Sequence, residues 1–206
     1  MRLWVALGLP MLYGALVHYG VLTGRFVPAL ALMLGVLVWG ALGRLRCGLG
    51  PWSLLPSLVA AVLLFGALRA DTLVAVFFVP PLVVPLGLAV LFGRTLLPGA
   101  TPLITQISQV MKGELDARAL RYTRRVTQAW MLFFLALALE AALLARFTAP
   151  ATWSLFANGL NYVFVAAFFG IEFLIRRRLF KEVTHPPFVD FLRALLTFDY
   201  RCLRVR

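Results

Sequence analysis

A long apolar run, residues 153–175, ends directly in three consecutive arginines, Arg176, Arg177 and Arg178. About 20 apolar residues in a helix, each adding 1.5 Å of length, cross the roughly 30 Å hydrocarbon core of a bilayer. Arginines that directly follow such a run are typical of the cytoplasmic end of a membrane helix. The junction therefore predicts a transmembrane helix whose C-terminal end faces the cytoplasm.

The composition excludes a soluble globular domain. Of the 206 residues, 62% are hydrophobic and 14% are charged, and the mean hydropathy is +0.92, whereas a soluble domain is about half apolar and about one quarter charged. Most of this apolar excess is expected to face lipid. We predict an all-α fold, a polytopic membrane helix bundle, in which residues 1–206 form a single integral membrane domain. The formal net charge of +12 then favours anionic lipid headgroups as partners over nucleic acid.

Six apolar runs can span a bilayer: residues 3–22, 26–42, 52–68, 72–92, 126–145 and 152–175. With the N-terminus inside, all of the 20 Lys and Arg residues fall in cytoplasmic segments except Arg25, Arg69 and Arg146. Because this bias sets orientation, the sequence predicts six helices with both termini in the cytoplasm. The first run is interpreted as a retained helix, since it is longer than the apolar part of a typical signal peptide.

Two predicted cytoplasmic segments, near residues 101–120 and 186–200, carry apolar residues at helical spacing. We expect each to form an amphipathic interfacial helix. Thr101 is the predicted N-cap of the first helix, and Pro102 is its predicted first residue. Each helix would lie on the membrane surface or dock a soluble partner, and the sequence leaves both open.

Three prolines in the fourth run, Pro80, Pro81 and Pro85, predict a kink near its middle, because each removes a backbone donor. The functional interpretation is a hinge or an unwound site, as in transporters. The favoured interpretation is a kink that neighbouring helices tolerate by packing against it.

Polar residues inside the apolar runs form a candidate intramembrane polar cluster of His18, Glu140, Asn158 and Asn161. Such groups are costly in lipid unless they are paired. The fifth and sixth runs are joined by a short turn, so Glu140 is expected to reach Asn158 or Asn161. This cluster is either a proton or substrate site or a set of interhelical hydrogen bonds, each worth about 1 kcal/mol.

The arginines of the predicted cytoplasmic face are candidate contacts for anionic lipid or partner proteins. They are Arg121, Arg124, Arg125, Arg176, Arg177 and Arg178. The favoured alternative is simple anchoring by positive charge, with Trp130 as an interfacial aromatic residue. Glu172 precedes Arg176 by four residues, which predicts a local ion pair.

The sequence contains only weak matches to catalytic motifs. His185 and Asp190 match a two-residue acyltransferase pattern, but Pro186 and Pro187 lie between them. Cys47 and Cys202 fall in predicted cytoplasmic segments, without the spacing of metal ligands or a reason to form a disulfide. We therefore expect no cofactor and no metal, and the sequence favours a non-enzymatic role over an enzymatic one.

Several motifs together resemble a bacterial inner-membrane protein family, without an established reaction, that is encoded with aryl-polyene and xanthomonadin-type pigment pathways. The resemblance covers residues 91–206, and the preceding residues match only as hydrophobic spans. The motifs are residues 92–96 (FGRTL), 99–105 (GATPLIT), 113–115 (GEL), 121–130 (RYTRRVTQAW) and 153–158 (WSLFAN), with Glu172 before the arginines. The resemblance implies a place beside polyene synthesis on acyl-carrier proteins and acyl transfer to a lipid.

These observations support a leading hypothesis and two alternatives. The leading hypothesis is an accessory protein of aryl-polyene-type pigment or lipid assembly, which organises acyl-carrier proteins or lipid-handling enzymes at a basic cytoplasmic face. The first alternative is a small lipid or metabolite transporter or flippase that uses Glu140. The second is an acyltransferase-like membrane enzyme that uses His185 or His18.

Overall fold

The computed structural model describes residues 2–46 and 73–180, and every regular element in those ranges is helical. The all-α prediction is confirmed for this part of the chain. The helices are α1 (Arg2–Thr23), α2 (Val27–Arg46), α3 (Leu73–Arg94), α4 (Leu103–Lys112), α5 (Ala117–Phe147), α6 (Pro150–Leu155) and α7 (Asn161–Leu179). A short π-helix, Phe156–Leu160, joins α6 to α7. The predicted span at 52–68 and the predicted interfacial helix at 186–200 lie outside the described residues.

Three helical stretches in the described ranges are long and apolar enough to cross a membrane: Phe77–Arg94, Ala117–Phe147 and Pro150–Leu179. Their surfaces carry large apolar side chains that water would not favour. Leu132 is 58% exposed, and Leu139 and Val163 are each 59% exposed. Contiguous exposed apolar surface of this kind is expected where a helix faces lipid. The chain therefore has the character of a membrane protein.

The helices pack as two compact units, which are described separately. Of the described residues, unit 1 contains 2–6, Leu82–Ala142 and 162–180. Unit 2 contains 7–46, 73–81 and Leu143–Asn161.

The core of unit 1 is an aromatic cluster centred on Trp130, which is only 4% exposed. The rings of Phe168 and Phe169 lie 4.6 Å and 4.5 Å from the indole, measured between ring centroids. The ring of Phe134 lies 5.3 Å away. The indole faces the helices that pack against α5, so Trp130 is a core residue of unit 1, while its predicted depth at the membrane interface stays a prediction.

The core of unit 2 forms around Phe77, which packs against Val17 and Ala29. Phe26 stacks on Phe77 at 5.2 Å. Gly20 permits this arrangement, because a Cβ atom there would lie 2.6 Å from the Phe26 ring. The chain can then turn sharply after α1 and bring Phe26 back onto the core.

Helix α3 continues through Pro80, Pro81 and Pro85 without a break from Leu73 to Arg94. The prolines therefore do not unwind the helix, and the unwound-site interpretation was wrong. The kink itself stays a prediction. The irregular helix geometry lies instead in the π-helix Phe156–Leu160, which the sequence analysis missed.

Candidate functional site

The N-terminus of α4 is fixed by threonines that come from other elements. The Thr95 hydroxyl donates to the carbonyl of Phe92 at 2.7 Å and accepts from the amide of Leu103 at 3.0 Å. The Thr127 hydroxyl accepts from the next amide, that of Ile104, at 3.3 Å. Two of the amides that a helix start leaves without intrahelical partners are satisfied in this way.

The predicted Thr101 cap was wrong. The N-cap position is occupied by Pro102, and no side chain of the cap residue bonds the helix. The capping hydroxyls come from Thr95 and Thr127, which are distant in sequence, so a rule based on adjacent residues does not find them.

A second hydroxyl contact joins α4 to α5. Thr105 and Thr123 lie 2.7 Å apart between their hydroxyl oxygens, and Thr123 also donates to the carbonyl of Leu120 at 3.1 Å. The threonine cluster, defined as Thr95, Thr105, Thr123 and Thr127, is at most 5% exposed. Buried hydroxyls with this many partners hold α4 in one position against α5 and the turn that follows α3.

Replacing Thr127 with valine tests this cluster. Valine keeps the shape of the side chain but leaves the buried amide of Ile104 without its acceptor, so we expect a loss of about 1–2 kcal/mol in the free energy of unfolding. Thr101→Val is the matched control, because Thr101 is exposed and caps nothing. Both variants can be compared by thermal unfolding in detergent, and equal losses would contradict the assigned role.

Helix α4 is amphipathic, as predicted, but it is shorter than the predicted segment 101–120. Leu103 and Ile107 are buried, while Gln109 and Val110 are exposed. Gly113, with φ of +81°, follows the helix in a conformation that favours glycine. The carboxylate of Asp116 then accepts from the amide of Ala119 at 2.7 Å and caps the next helix.

Helix α5 therefore starts at Ala117, well before the predicted span at 126–145. It has 31 residues, or about 46 Å of length at 1.5 Å per residue, against a hydrocarbon core of about 30 Å. Arg118, Arg121, Arg124 and Arg125 thus lie on its first turns, in regular helix.

Helix α5 is joined to α7 by a polar contact between Tyr122 and Glu172. The phenol donates to Oε1 of Glu172 at 3.2 Å, and Oε2 of the same carboxylate pairs with Arg176 at 3.4 Å. The predicted ion pair is confirmed. It is also more buried than a surface pair, since the two side chains are only 12% and 20% exposed.

Arg118 binds the end of α7. It donates to the carbonyl of Leu179 at 3.0 Å, and its guanidinium lies 5.4 Å from the ring centroid of Phe180. Phe180 in turn contacts the ring of Tyr122 at 5.3 Å. An arginine at this position satisfies a carbonyl that the helix end leaves unpaired, and it fixes where the chain leaves α7.

Arg124 has the same role at the end of α3. It donates to the carbonyl of Leu96 at 3.1 Å, in the turn that follows the helix. The C-terminal ends of α3 and α7 and the first turns of α5 therefore meet at one end of unit 1. We call this region the arginine-rich end, defined by Arg94, Arg118, Arg121, Arg124, Arg125, Arg176, Arg177 and Arg178.

The arginines of this end divide into two groups. Arg118, Arg124 and Arg176 bond carbonyls or a carboxylate of unit 1. The other group has exposed side chains that form no hydrogen bond or ion pair with any residue in ranges 2–46 and 73–180. Its members are Arg94, Arg121, Arg125, Arg177 and Arg178. The second group therefore has all of its N–H donors available to an external anion, whereas Arg118, Arg124 and Arg176 each use at least one donor or their charge within unit 1.

The candidate intramembrane polar residues are assigned to different units. Glu140 belongs to unit 1, while His18, Asn158 and Asn161 belong to unit 2. Asn158 and Asn161 are both buried, and the Asn158 amide donates to the Ser154 hydroxyl at 3.2 Å, one turn earlier in the same helical stretch. This local bond supports the structural interpretation for Asn158. The predicted contact of Glu140 with Asn158 or Asn161 stays a prediction.

Asn158 lies within the π-helix, and Asn161 directly follows it. The Asn161 amide donates to the carbonyl of Phe156, five residues earlier, which is the π-helical pattern. Asn158 and Gly159 are both poor helix formers, so the sequence held a weak local signal of irregular geometry. The candidates His185, Asp190, Cys47 and Cys202 lie outside the described residues.

Comparison of the chain with protein-family models, with curated proteins and with solved structures gives no match.

Proposed function

We propose that the chain is a six-span protein of a bacterial inner membrane, with both termini and the arginine-rich end in the cytoplasm. The six-span arrangement requires the end of the fourth span, the start of the fifth and the end of the sixth to share one side. The contacts of Arg124 with Leu96 and of Arg118 with Leu179 support that requirement. The positive charge at this end supports its cytoplasmic placement.

The proposed function is that of an accessory protein in aryl-polyene-type pigment or lipid assembly, which recruits acidic acyl-carrier proteins or soluble enzymes to the membrane. The observation that carries this proposal is the exposure of Arg177 and Arg178 at the end of α7. Arg118 and Phe180 hold that end in place, so the two arginines are presented on a fixed helix. A fixed positive surface attracts an acidic partner and speeds its association.

The motif resemblance supplies the setting of the proposal, because much of it falls on this end of unit 1. Thr95, Thr105, Thr123 and Thr127 come from the motif blocks, and they are the residues of the threonine cluster. Tyr122 and Glu172, which join α5 to α7, also belong to the motifs. The transporter and acyltransferase alternatives gain no comparable support from the described residues.

Deletion of the gene tests whether the protein acts in pigment assembly. Charge reversal tests whether the arginine-rich end recruits the acidic partner. Deletion should lower the amount of pigment or change its location, and unaltered pigment would refute the proposal. A restored copy with Arg177→Glu and Arg178→Glu should recover acyl-carrier protein at least about 30-fold less well in co-purification, because losing two favourable charges at about 1 kcal/mol each already corresponds to that factor and the new carboxylates repel an acidic partner. The matched control is Arg146→Glu at the other end of α5, which should co-purify the partner as the wild type does.

A further inference from the structure

The arginines of the arginine-rich end lie at different distances from the hydrocarbon core, and helix geometry gives those distances. We call the arginines nearer the core the inner level and those farther from it the outer level. The apolar residues 126–145 of α5 cover about 30 Å, the thickness of the hydrocarbon core. Arg125 therefore lies at the edge of the core, and Arg121 lies one turn farther out, by about 6 Å. The headgroup layer adds roughly 5–8 Å on each side of the core, so both guanidinium groups are at headgroup depth.

The outer level lies farther from the core. Arg118 is about 10 Å beyond Arg125 along α5, and it binds the carbonyl of Leu179 at the end of α7. Arg177 and Arg178 precede Leu179 by two residues and one residue, so they lie about 7–9 Å beyond Arg125, farther out than Arg125 and slightly farther out than Arg121. An acidic soluble protein would meet the outer arginines first.

Arg121 and Arg125 are arranged for a single anion. They are four residues apart, so their side chains leave the same face of α5. Both are exposed and form no hydrogen bond or ion pair with a residue in the described ranges. The nearest carboxylate on their own helix end is Asp116, more than one turn farther out, and it is occupied in capping Ala119.

Arg94 adds positive charge at the inner level. It ends α3, and the bond from Arg124 to the carbonyl of Leu96 holds the end of α3 beside the second turn of α5. Arg124 is used in that contact, and Glu172 is used by Tyr122 and Arg176. Among residues 2–46 and 73–180, the cationic groups of the inner level therefore have no carboxylate paired with them.

We propose that Arg121 and Arg125 bind the phosphate of an anionic membrane lipid. Guanidinium groups form paired hydrogen bonds to phosphate oxygens, and the phosphate of a lipid lies at the depth of these two side chains. A soluble acidic protein is disfavoured at this level because the headgroup layer covers it. The inference rests on the proposed function only for the placement of this end at a membrane surface, and it specifies the ligand of the inner arginines.

The test is lipid titration of the purified full chain in detergent, followed by native mass spectrometry. The probes are phosphatidylglycerol, which is anionic, and phosphatidylcholine, which has no net charge. Exchanging both inner arginines (Arg121→Gln with Arg125→Gln) should weaken the first phosphatidylglycerol site roughly 30-fold, at about 1 kcal/mol for each charge. The control Arg177→Gln with Arg178→Gln makes the same chemical change at the outer level and should leave that site unchanged.

Equal weakening in both double variants would overturn the proposal, because it would indicate diffuse attraction to surface charge. Equal binding of the two lipids would overturn it as well. Inorganic phosphate distinguishes the source: if phosphate alone displaces the bound lipid completely, the ligand is a free anion and the lipid assignment is wrong. If the double variant fails to fold, each single variant should weaken the site about fivefold.

The lipid assay needs no pigment pathway, so the lipid site can be confirmed even if the proposed function is wrong. Conversely, acyl-carrier recovery that depends on Arg121 and Arg125 but not on Arg177 and Arg178 would refute the division into two levels.

Discussion

Replacing Trp130 with alanine is expected to lower the free energy of unfolding by about 3–5 kcal/mol, the usual range for removing a large buried aromatic side chain. The indole is 4% exposed and contacts rings from α3, α5 and α7. Helices in lipid associate mainly through such packing, because lipid chains are as apolar as the side chains themselves. The cavity left by alanine cannot close without moving those helices.

Leu132 provides the control for Trp130. It lies on the same helix and is 58% exposed, on a face that lipid would cover. Leu132→Ala should cost less than about 1 kcal/mol, since lipid chains fill the space of the missing side chain. Denaturation by SDS, followed by far-UV circular dichroism, compares both variants with the wild type. A loss at Leu132 as large as that at Trp130 would show that α5 does not use the face assigned here.

In the described residues, the apolar runs predicted where the long helices lie but not where those helices begin and end. The run at 72–92 is close to the observed α3, Leu73–Arg94. The run at 126–145 misses the start of α5 at Ala117. Hydropathy falls at the arginines, whereas helical hydrogen bonding continues because alanine, leucine and arginine are strong helix formers. Hydropathy therefore marks where the helix leaves the hydrocarbon core and not where the helix itself begins or ends.

In the candidate site, the sequence likewise predicted a contact within one helix but not the contacts between helices. The pair of Glu172 and Arg176 was predicted because four residues bring side chains together within one helix. The contact of Tyr122 with Glu172 joins residues of different helices, and no spacing in the sequence specifies it. The use of Arg118 and Arg124 on backbone carbonyls was missed for the same reason. Only the structure distinguishes these arginines, which bond backbone carbonyls, from those that have no partner among the described residues.

Replacing Glu172 with alanine is expected to lower the free energy of unfolding by about 2 kcal/mol. This value lies between the loss for an exposed pair, below about 1 kcal/mol, and the 3–5 kcal/mol for a pair that is fully buried. The Arg176 side chain is 20% exposed, so it would keep a guanidinium charge in a mostly apolar setting without its carboxylate. The Tyr122 hydroxyl would lose its acceptor at the same time.

A double-mutant cycle separates these contributions to stability. Tyr122→Phe alone removes one hydrogen bond and should cost about 1 kcal/mol. If the carboxylate binds both partners as observed, this change should cost much less when Glu172 is already alanine, which gives a coupling of about 0.5–1.5 kcal/mol. Additive losses in detergent unfolding would refute the contact. Because Tyr122 and Phe180 also position the end of α7, loss of this contact should in addition weaken recovery of the acidic partner by Arg177 and Arg178, even though neither arginine is changed.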